Sequence, residues 1–194
     1  PVNEPLITDA AKLYVADAMD TGWISSAGPC VEKFEEAFAK FIGVKHAIFT
    51  NSGTSALHTA ARTLNIGPGD EVIIPNFTMI ASPFSVMYTG ATPVFVDIDP
   101  ETLNIDAALI EAKITDRTKA IMPVHIYGLP CDMDPILEIA AKHNLAIIED
   151  AAEVHGAEYK GKKCGSIGTI NAFSFYGNKI ITKGEGGMIT TDDD

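Results

Sequence analysis

The sequence predicts an α/β fold of three layers, α/β/α, in which a mostly parallel sheet lies between helices. Three observations predict it. Short apolar runs rich in Ile and Val recur along the chain, for example at 71–75 and 119–123. Stretches of helical period separate them, so strand and helix alternate. The chain has 194 residues, 46% hydrophobic and 21% charged, which is an ordered globular composition with enough chain to bury a substantial core.

The elements follow in order. Thr8 or Asp9 can cap a helix running to about Met19. A second helix, 31–41, carries Val31, Phe34, Phe38 and Phe41 at helical spacing. Between them the Gly and Pro content of 22–29 marks a loop. Then come a strand at 45–50, a helix at 54–64, a Gly-Pro-Gly-Asp turn at 67–70 and a strand at 71–75. A helix at 78–88, a strand at 93–97, a short helix at 106–113 and a strand at 119–123 continue the alternation. A helix at 132–143 leads to a buried strand at 145–148. Beyond Asp150 glycines become frequent and the alternation stops; 170–175 and 187–191 read as strands joined by a Gly-rich loop. The sheet ends on its final strand without a covering helix, which suggests a larger domain.

Charge and cysteine content narrow the partners. Lys and Arg number 14 against 26 Asp and Glu, a net charge of −12. This argues against nucleic acid or an anionic membrane, both of which need a basic face. Five lysines (Lys160, Lys162, Lys163, Lys179 and Lys183) nevertheless cluster near the end. No apolar run approaches the roughly 20 residues of a membrane helix. Cys30, Cys131 and Cys164 are odd in number and widely spaced, so neither a disulfide framework nor a zinc site is expected. Free thiols fit a reducing cytoplasm. Residues 1–5 lack the basic-then-apolar pattern of a secretory leader, and the missing initiator Met suggests processing or a chain boundary.

Ligands of open α/β sheets gather at the carboxyl ends of the strands. Four segments fall there. Asn51-Ser52-Gly53-Thr54-Ser55-Ala56 follows a strand and opens a helix, whose free N–H groups suit a phosphate, with Thr54 or Ser55 adding a hydroxyl. An ordinary helix cap is the plainer reading. Ile148-Glu149-Asp150-Ala151-Ala152-Glu153 puts carboxylates at a strand tip, where they can hold a protonated ring nitrogen or a metal. His125, His143 and His155 are scattered, so an organic cation is favoured over a metal, with a capping Asp as the plainer reading. In Phe173-Ser174-Phe175-Tyr176-Gly177-Asn178-Lys179, Ser174 faces away from its two Phe neighbours. A Lys beside apolar or cationic groups becomes nucleophilic toward a carbonyl, although a surface ion pair is its usual role. Gly184-Glu185-Gly186-Gly187 fits a tight turn near a ligand. Together these segments ask for a phosphate, a basic ring nitrogen and an aldehyde, the three handles of pyridoxal 5'-phosphate.

These residues carry a family resemblance. Asn51 through Leu57, the run Glu149-Asp150-Ala151-Ala152-Glu153-Val154-His155-Gly156-Ala157, and Phe173-Ser174-Phe175 through Lys179 to Gly187 resemble the DegT/DnrJ/EryC1/StrS aminotransferases. Those are fold type I pyridoxal-phosphate enzymes acting on nucleotide-linked keto-sugars. The likeness covers essentially the whole chain, including Gly22-Trp23-Ile24-Ser25-Ser26 and Pro123-Val124-His125-Ile126-Tyr127-Gly128. Within the family the chain resembles the GDP-perosamine synthases.

The resemblance implies that Lys179 condenses with the cofactor aldehyde and shuttles a proton, and that Asp150 keeps the ring nitrogen protonated. Ala152 would cover one ring face. Gly53, Thr54 and Ser174 would hold the phosphate, with Ser55 beside them, and Glu153, where Gln is common, would lie near the phenolic oxygen. Met79 stands where an aromatic residue usually stacks on the ring, and Lys183 where Thr is common. The implied reaction moves an amino group from L-glutamate to a 4-keto-6-deoxy nucleotide sugar, in a cytoplasmic homodimer that serves lipopolysaccharide O-antigen synthesis. Residues 1–194 would be the N-terminal portion of the large domain, with the small C-terminal domain outside the chain. Two alternatives stand beside this: a keto-sugar dehydratase on the same scaffold, whose branch resembles one with His in place of Lys179, and a truncated, non-catalytic binding module.

Overall fold

The computed structural model describes residues 5–26 and 28–194. Helix α1, Asp9–Thr21, starts where the Thr8 hydroxyl accepts the Ala11 amide at 3.1 Å, and ends at Gly22 in the left-handed conformation. It buries none of its residues. Helix α2, Pro29–Ile42, opens on a proline, whose missing N–H costs nothing in a first turn, and buries Phe38, Ala39 and Ile42.

The strands and their connecting helices follow in chain order. Strand β1, His46–Thr50, leads into α3, Gly53–Thr63; β2, Glu71–Pro75, into α4, Ala81–Met87. Strand β3, Thr92–Val96, is followed by α5, Ala107–Ile110, and a 3-10 turn, Glu111–Lys113. Next come β4, Thr118–Ile121, α6, Met133–His143, and β5, Ala146–Asp150. A small hairpin, β6 (Glu158–Tyr159) with β7 (Lys162–Lys163), precedes β8, Ile170–Ser174, and β9, Gly187–Thr191.

Seven strands form one sheet in the order β1-β9-β8-β5-β4-β2-β3. Strand β9 runs antiparallel to both neighbours, β1 and β8, and the remaining pairs are parallel. Successive side chains take opposite faces. Val72, Ile74, Met122, Ile148 and Ala172 point to one face, where α3 adds Ala56, Leu57, Ala60 and Ala61 and α4 adds Val86. Ile73, Ile121 and Ile147 point to the other, under Met133, Ile136 and Ala140 of α6. On that second face, at the β8–β9 end, Phe173 and Met188 pack under Phe38 and Ile42 of α2. The three-layer α/β/α fold is the one expected.

Some boundaries differ from the sequence reading. The helix expected at 78–88 begins only at Ala81, because Asn76 still pairs with the neighbouring strand (its amide donates to Val96 O at 2.8 Å) and Thr78 turns its hydroxyl onto that of Ser82 at 2.7 Å. The helix expected at 106–113 splits into α5 and the 3-10 turn. The hairpin β6–β7 was not expected. Its turn residues, Lys160 and Gly161, both have positive φ, and Lys is an unusual choice there.

Candidate active site

The tips of β1, β5 and β8 open onto one cleft of about 530 Å³. Gly53, Thr54, Met79, Asp150, Ala152, Glu153, Ser174 and Lys179 all line it. Ser55 alone of the expected residues is not on its wall: its hydroxyl lies 2.9 Å from that of Ser52, and its amide donates to the same Ser52 oxygen at 3.1 Å. It braces the helix cap.

The N-terminus of α3 forms one end of the cleft. Its first amides, those of Gly53 and Thr54, have no acceptor within the helix and carry the positive end of the dipole. Gly53 is required by packing rather than by φ, since a Cβ there would come 2.6 Å from Ser174 Cβ. The close approach brings the Ser174 hydroxyl to the helix terminus, an arrangement that suits an anion.

Asp150 ends β5 and is 4% exposed. Its Oδ2 accepts from Ser82 Oγ at 2.8 Å and its Oδ1 from the Ala152 amide at 3.3 Å. Burial raises its pKa, while the Ser82 and Ala152 hydrogen bonds and the nearby Lys179 charge work in the other direction. Among the described residues no Lys, Arg or His forms an ion pair with it. A buried carboxylate without a cation is unfavourable, so the site fits a cationic group such as a protonated ring nitrogen.

Lys179 is held in a turn by its amide, which donates to Tyr176 O at 2.9 Å. Its side chain is 10% exposed, and its Nζ lies 3.0 Å from Glu153 Oε1. The other oxygen of Glu153 accepts the Tyr127 amide at 2.9 Å. Lys183 does not line this cleft. Its Nζ sits 3.6 Å from the centre of the Phe49 ring and 4.7 Å from that of Phe34, and burial lowers its pKa. Met79, far from being core, is 64% exposed at the cleft wall.

Behind the cleft, His125 Nε2 lies 3.0 Å from Glu149 Oε1. His125 Nδ1 accepts the Cys131 amide at 3.0 Å, which assigns the ring proton to Nε2. Glu149 also accepts the amides of Gly165, Ile167 and Gly168. Burial raises the pKa of this carboxyl, but the His125 and amide hydrogen bonds outweigh it and the net shift is downward. Glu149 therefore anchors the glycine loop to β5, while its neighbour Asp150 faces the cleft.

The sequence model of the DegT/DnrJ/EryC1/StrS aminotransferase family matches residues 5–194. The chain belongs to that family. It is 63% identical over 193 residues to a protein named GDP-perosamine synthase from Caulobacter vibrioides, covering 100% of this chain and 52% of that one. It is 52% identical to another of that name from Escherichia coli O157:H7, covering 100% and 53%. The chain thus spans about half the length of the curated relatives it matches. Among solved structures, an aminotransferase from Psychrobacter cryohalolentis superposes with a TM-score of 0.95 at 47% identity, over 100% of this chain and 50% of that one. A Streptococcus pneumoniae structure in its PLP-form has a TM-score of 0.95 at 35% identity, over 100% and 53%.

For this family member, sequence reasoning missed one residue behind the cleft and two on its wall. Ser82, the hydrogen-bond donor to Asp150, read as one more residue of an uninterrupted helix. Phe77 and Tyr127 also line the cleft. A signal for Tyr127 was present: it stands before Gly128 and two residues after His125, in the connection that follows β4.

Proposed function

We propose that the chain is the N-terminal, cofactor-binding portion of the large domain of a pyridoxal-phosphate aminotransferase. It moves an amino group from L-glutamate to the 4-keto group of a 6-deoxy nucleotide sugar, as in GDP-perosamine synthesis. The observation that carries this reading is the meeting of the Lys179 amine, the buried Asp150 carboxylate and the α3 N-terminus in a single cleft.

When bound, the cofactor supplies an aldehyde that takes up an amine and a protonated ring that draws electrons from the bonds around it. Gly53 and Thr54 amides with the Ser174 hydroxyl would hold the phosphate, and Ser55 keeps the cap in shape. Asp150 would hold the proton on the ring nitrogen. Ala152 would cover one face of the ring, and Met79 would offer its sulfur to the ring. Glu153 would sit near the phenolic oxygen. Lys179 Nζ would hold the cofactor and move the transferred proton.

A homodimer fits the exposed apolar residues Ile80, Phe84, Met87 and Tyr88 beside the cleft. A cytoplasmic protein fits the free cysteines; among the described residues, no helix is long and apolar enough to cross a membrane. Titration with pyridoxal phosphate tests the reading. A long-wavelength cofactor absorbance should develop at one equivalent, borohydride should fix the cofactor on Lys179 by peptide mapping, and Lys179→Ala should abolish both. Unchanged absorbance in that variant would remove Lys179 from the role.

A further inference from the structure

The rim of the cleft carries a turn with an unusual conformation. The Leu129 amide donates to Ile126 O at 2.9 Å, with Tyr127 at φ 51° and Gly128 at φ 90° between them. The left-handed region is unfavourable for a residue with a Cβ, so the surroundings impose it on Tyr127. Asn104, 3% exposed, does so from below: its Oδ1 accepts the Ile126 amide at 3.0 Å, and its Nδ2 donates to Leu129 O at 3.1 Å and Pro130 O at 3.2 Å. Glu153 does so from the cleft, by accepting the Tyr127 amide. Yet the Tyr127 ring itself is 76% exposed. It meets Phe77 edge-on, with centroids 6.3 Å apart, and both rings line the cleft. A strained, doubly anchored turn that holds an aromatic face open to solvent at a cleft wall suits a ring that a ligand covers.

Distance selects the part of the ligand. One carboxylate, that of Glu153, joins the Tyr127 amide nitrogen to Lys179 Nζ, so the two nitrogens lie within about 8 Å of each other. The Tyr127 side chain lines the same cleft as Lys179, so a hexose whose reacting carbon exchanges a proton with Lys179 falls beside it. The nucleobase stands beyond a ribose and a diphosphate. We propose that Tyr127, backed by Phe77, is the wall on which the C–H face of the substrate's hexose stacks, an assignment that rests on the aminotransferase reading above. Covering roughly 50 Å² of apolar sugar face contributes about a tenfold change in affinity.

Calorimetric titration of the cofactor-loaded protein with GDP-perosamine and with GDP tests it. Tyr127→Ala should weaken GDP-perosamine about tenfold and change GDP by less than about twofold, while Tyr127→Phe should match the wild type for both ligands. An equal loss for GDP would put the ring against the nucleotide and overturn the proposal. So would a Phe variant as weak as Ala, which would make the hydroxyl the contact. A wild-type protein that binds GDP-perosamine no better than GDP would remove the functional reading itself, and the stacking with it.

Discussion

At the scale of single residues, Asp150 is the place where function opposes stability. Its folded pKa is raised, first by burial, so the ionised form costs the folded state free energy. The sign follows from linkage. Below the ordinary aspartate range both folded and unfolded carboxyls are protonated and no cost exists; as pH rises through the folded pKa the cost grows to its full value. Asp150→Asn keeps an acceptor for Ser82, gives up only the long bond from the Ala152 amide at 3.3 Å, and cannot ionise. In the cofactor-free protein at pH 7 it should therefore raise the melting temperature by about 2–4 °C, for a gain on the order of 1 kcal/mol. The gain should shrink as the pH is lowered toward 4. The same variant should lose most of its affinity for pyridoxal phosphate. A variant that melts lower than wild type at pH 7 would make Asp150 a folding residue rather than a cation site. His155 gives a second, independent pH signal. Burial between Phe173 and Phe175, then the charge of Lys179, lower its pKa to about 4, with the Ser174 backbone opposing. The unfolded chain takes up this proton first, so stability is complete above the ordinary histidine range and falls as pH drops from there toward 4. His155→Phe should flatten that part of the pH–melting curve.

At the scale of elements, Gly53 joins α3 to β8. Its backbone is ordinary first-turn helix, so Gly53→Ala meets no conformational penalty there. The new Cβ would nonetheless meet Ser174 Cβ at 2.6 Å and push the strand tip from the helix terminus. Pyridoxal-phosphate affinity should fall by about tenfold or more while far-ultraviolet dichroism stays unchanged, because the phosphate site loses geometry and the helix does not. Affinity equal to wild type would show that this helix terminus does not hold the phosphate. The same contact shows what the sequence could reveal. Local chemistry placed Ser52 to Ala56 at a strand–helix junction, since a small capping run before an apolar period has a readable cause. It could not reveal that Gly53 faces Ser174, because that pairing depends on β8 lying next but one to β1, across the antiparallel β9. The buried apolar runs of β2 and β5 were legible for the same local reason. The late start of α4 was not. It depends on Asn76 pairing with β3 and on Thr78 meeting Ser82, tertiary contacts that override helix propensity. Lys160-Gly161 closed a hairpin only because two short strands flank it, and the pair carries little turn signal of its own.

At the scale of the whole molecule, the apolar residues left outside the core are unevenly placed. Ile80, Phe84, Met87 and Tyr88 follow the i, i+4, i+7, i+8 spacing of one helical face, and all are exposed. The Phe84 and Tyr88 rings lie 5.8 Å apart, and His58 of α3 meets Tyr88 at 5.8 Å, so the stripe is continuous between two helices. The opposite side of α4 is already spent on the core through Val86. A net charge of −12 disfavours association unless apolar burial outweighs it. A contiguous stripe of this kind on an acidic protein marks a face that another surface covers, and in the aminotransferase reading that surface belongs to a second copy. Met79 and Phe77 lie in the loop that leads into this stripe and line the cleft, so a second copy seated on the stripe would lie beside the cleft mouth. Phe84→Asp combined with Tyr88→Lys should convert a dimer to a monomer in sedimentation. Dichroism should be retained, because both side chains lie outside the core. Cofactor affinity should fall together with dimer content, since the loop carrying Met79 would lose its cover. A double variant that remains dimeric would move the interface elsewhere, and a monomer with undiminished cofactor affinity would separate the cleft from the dimer face.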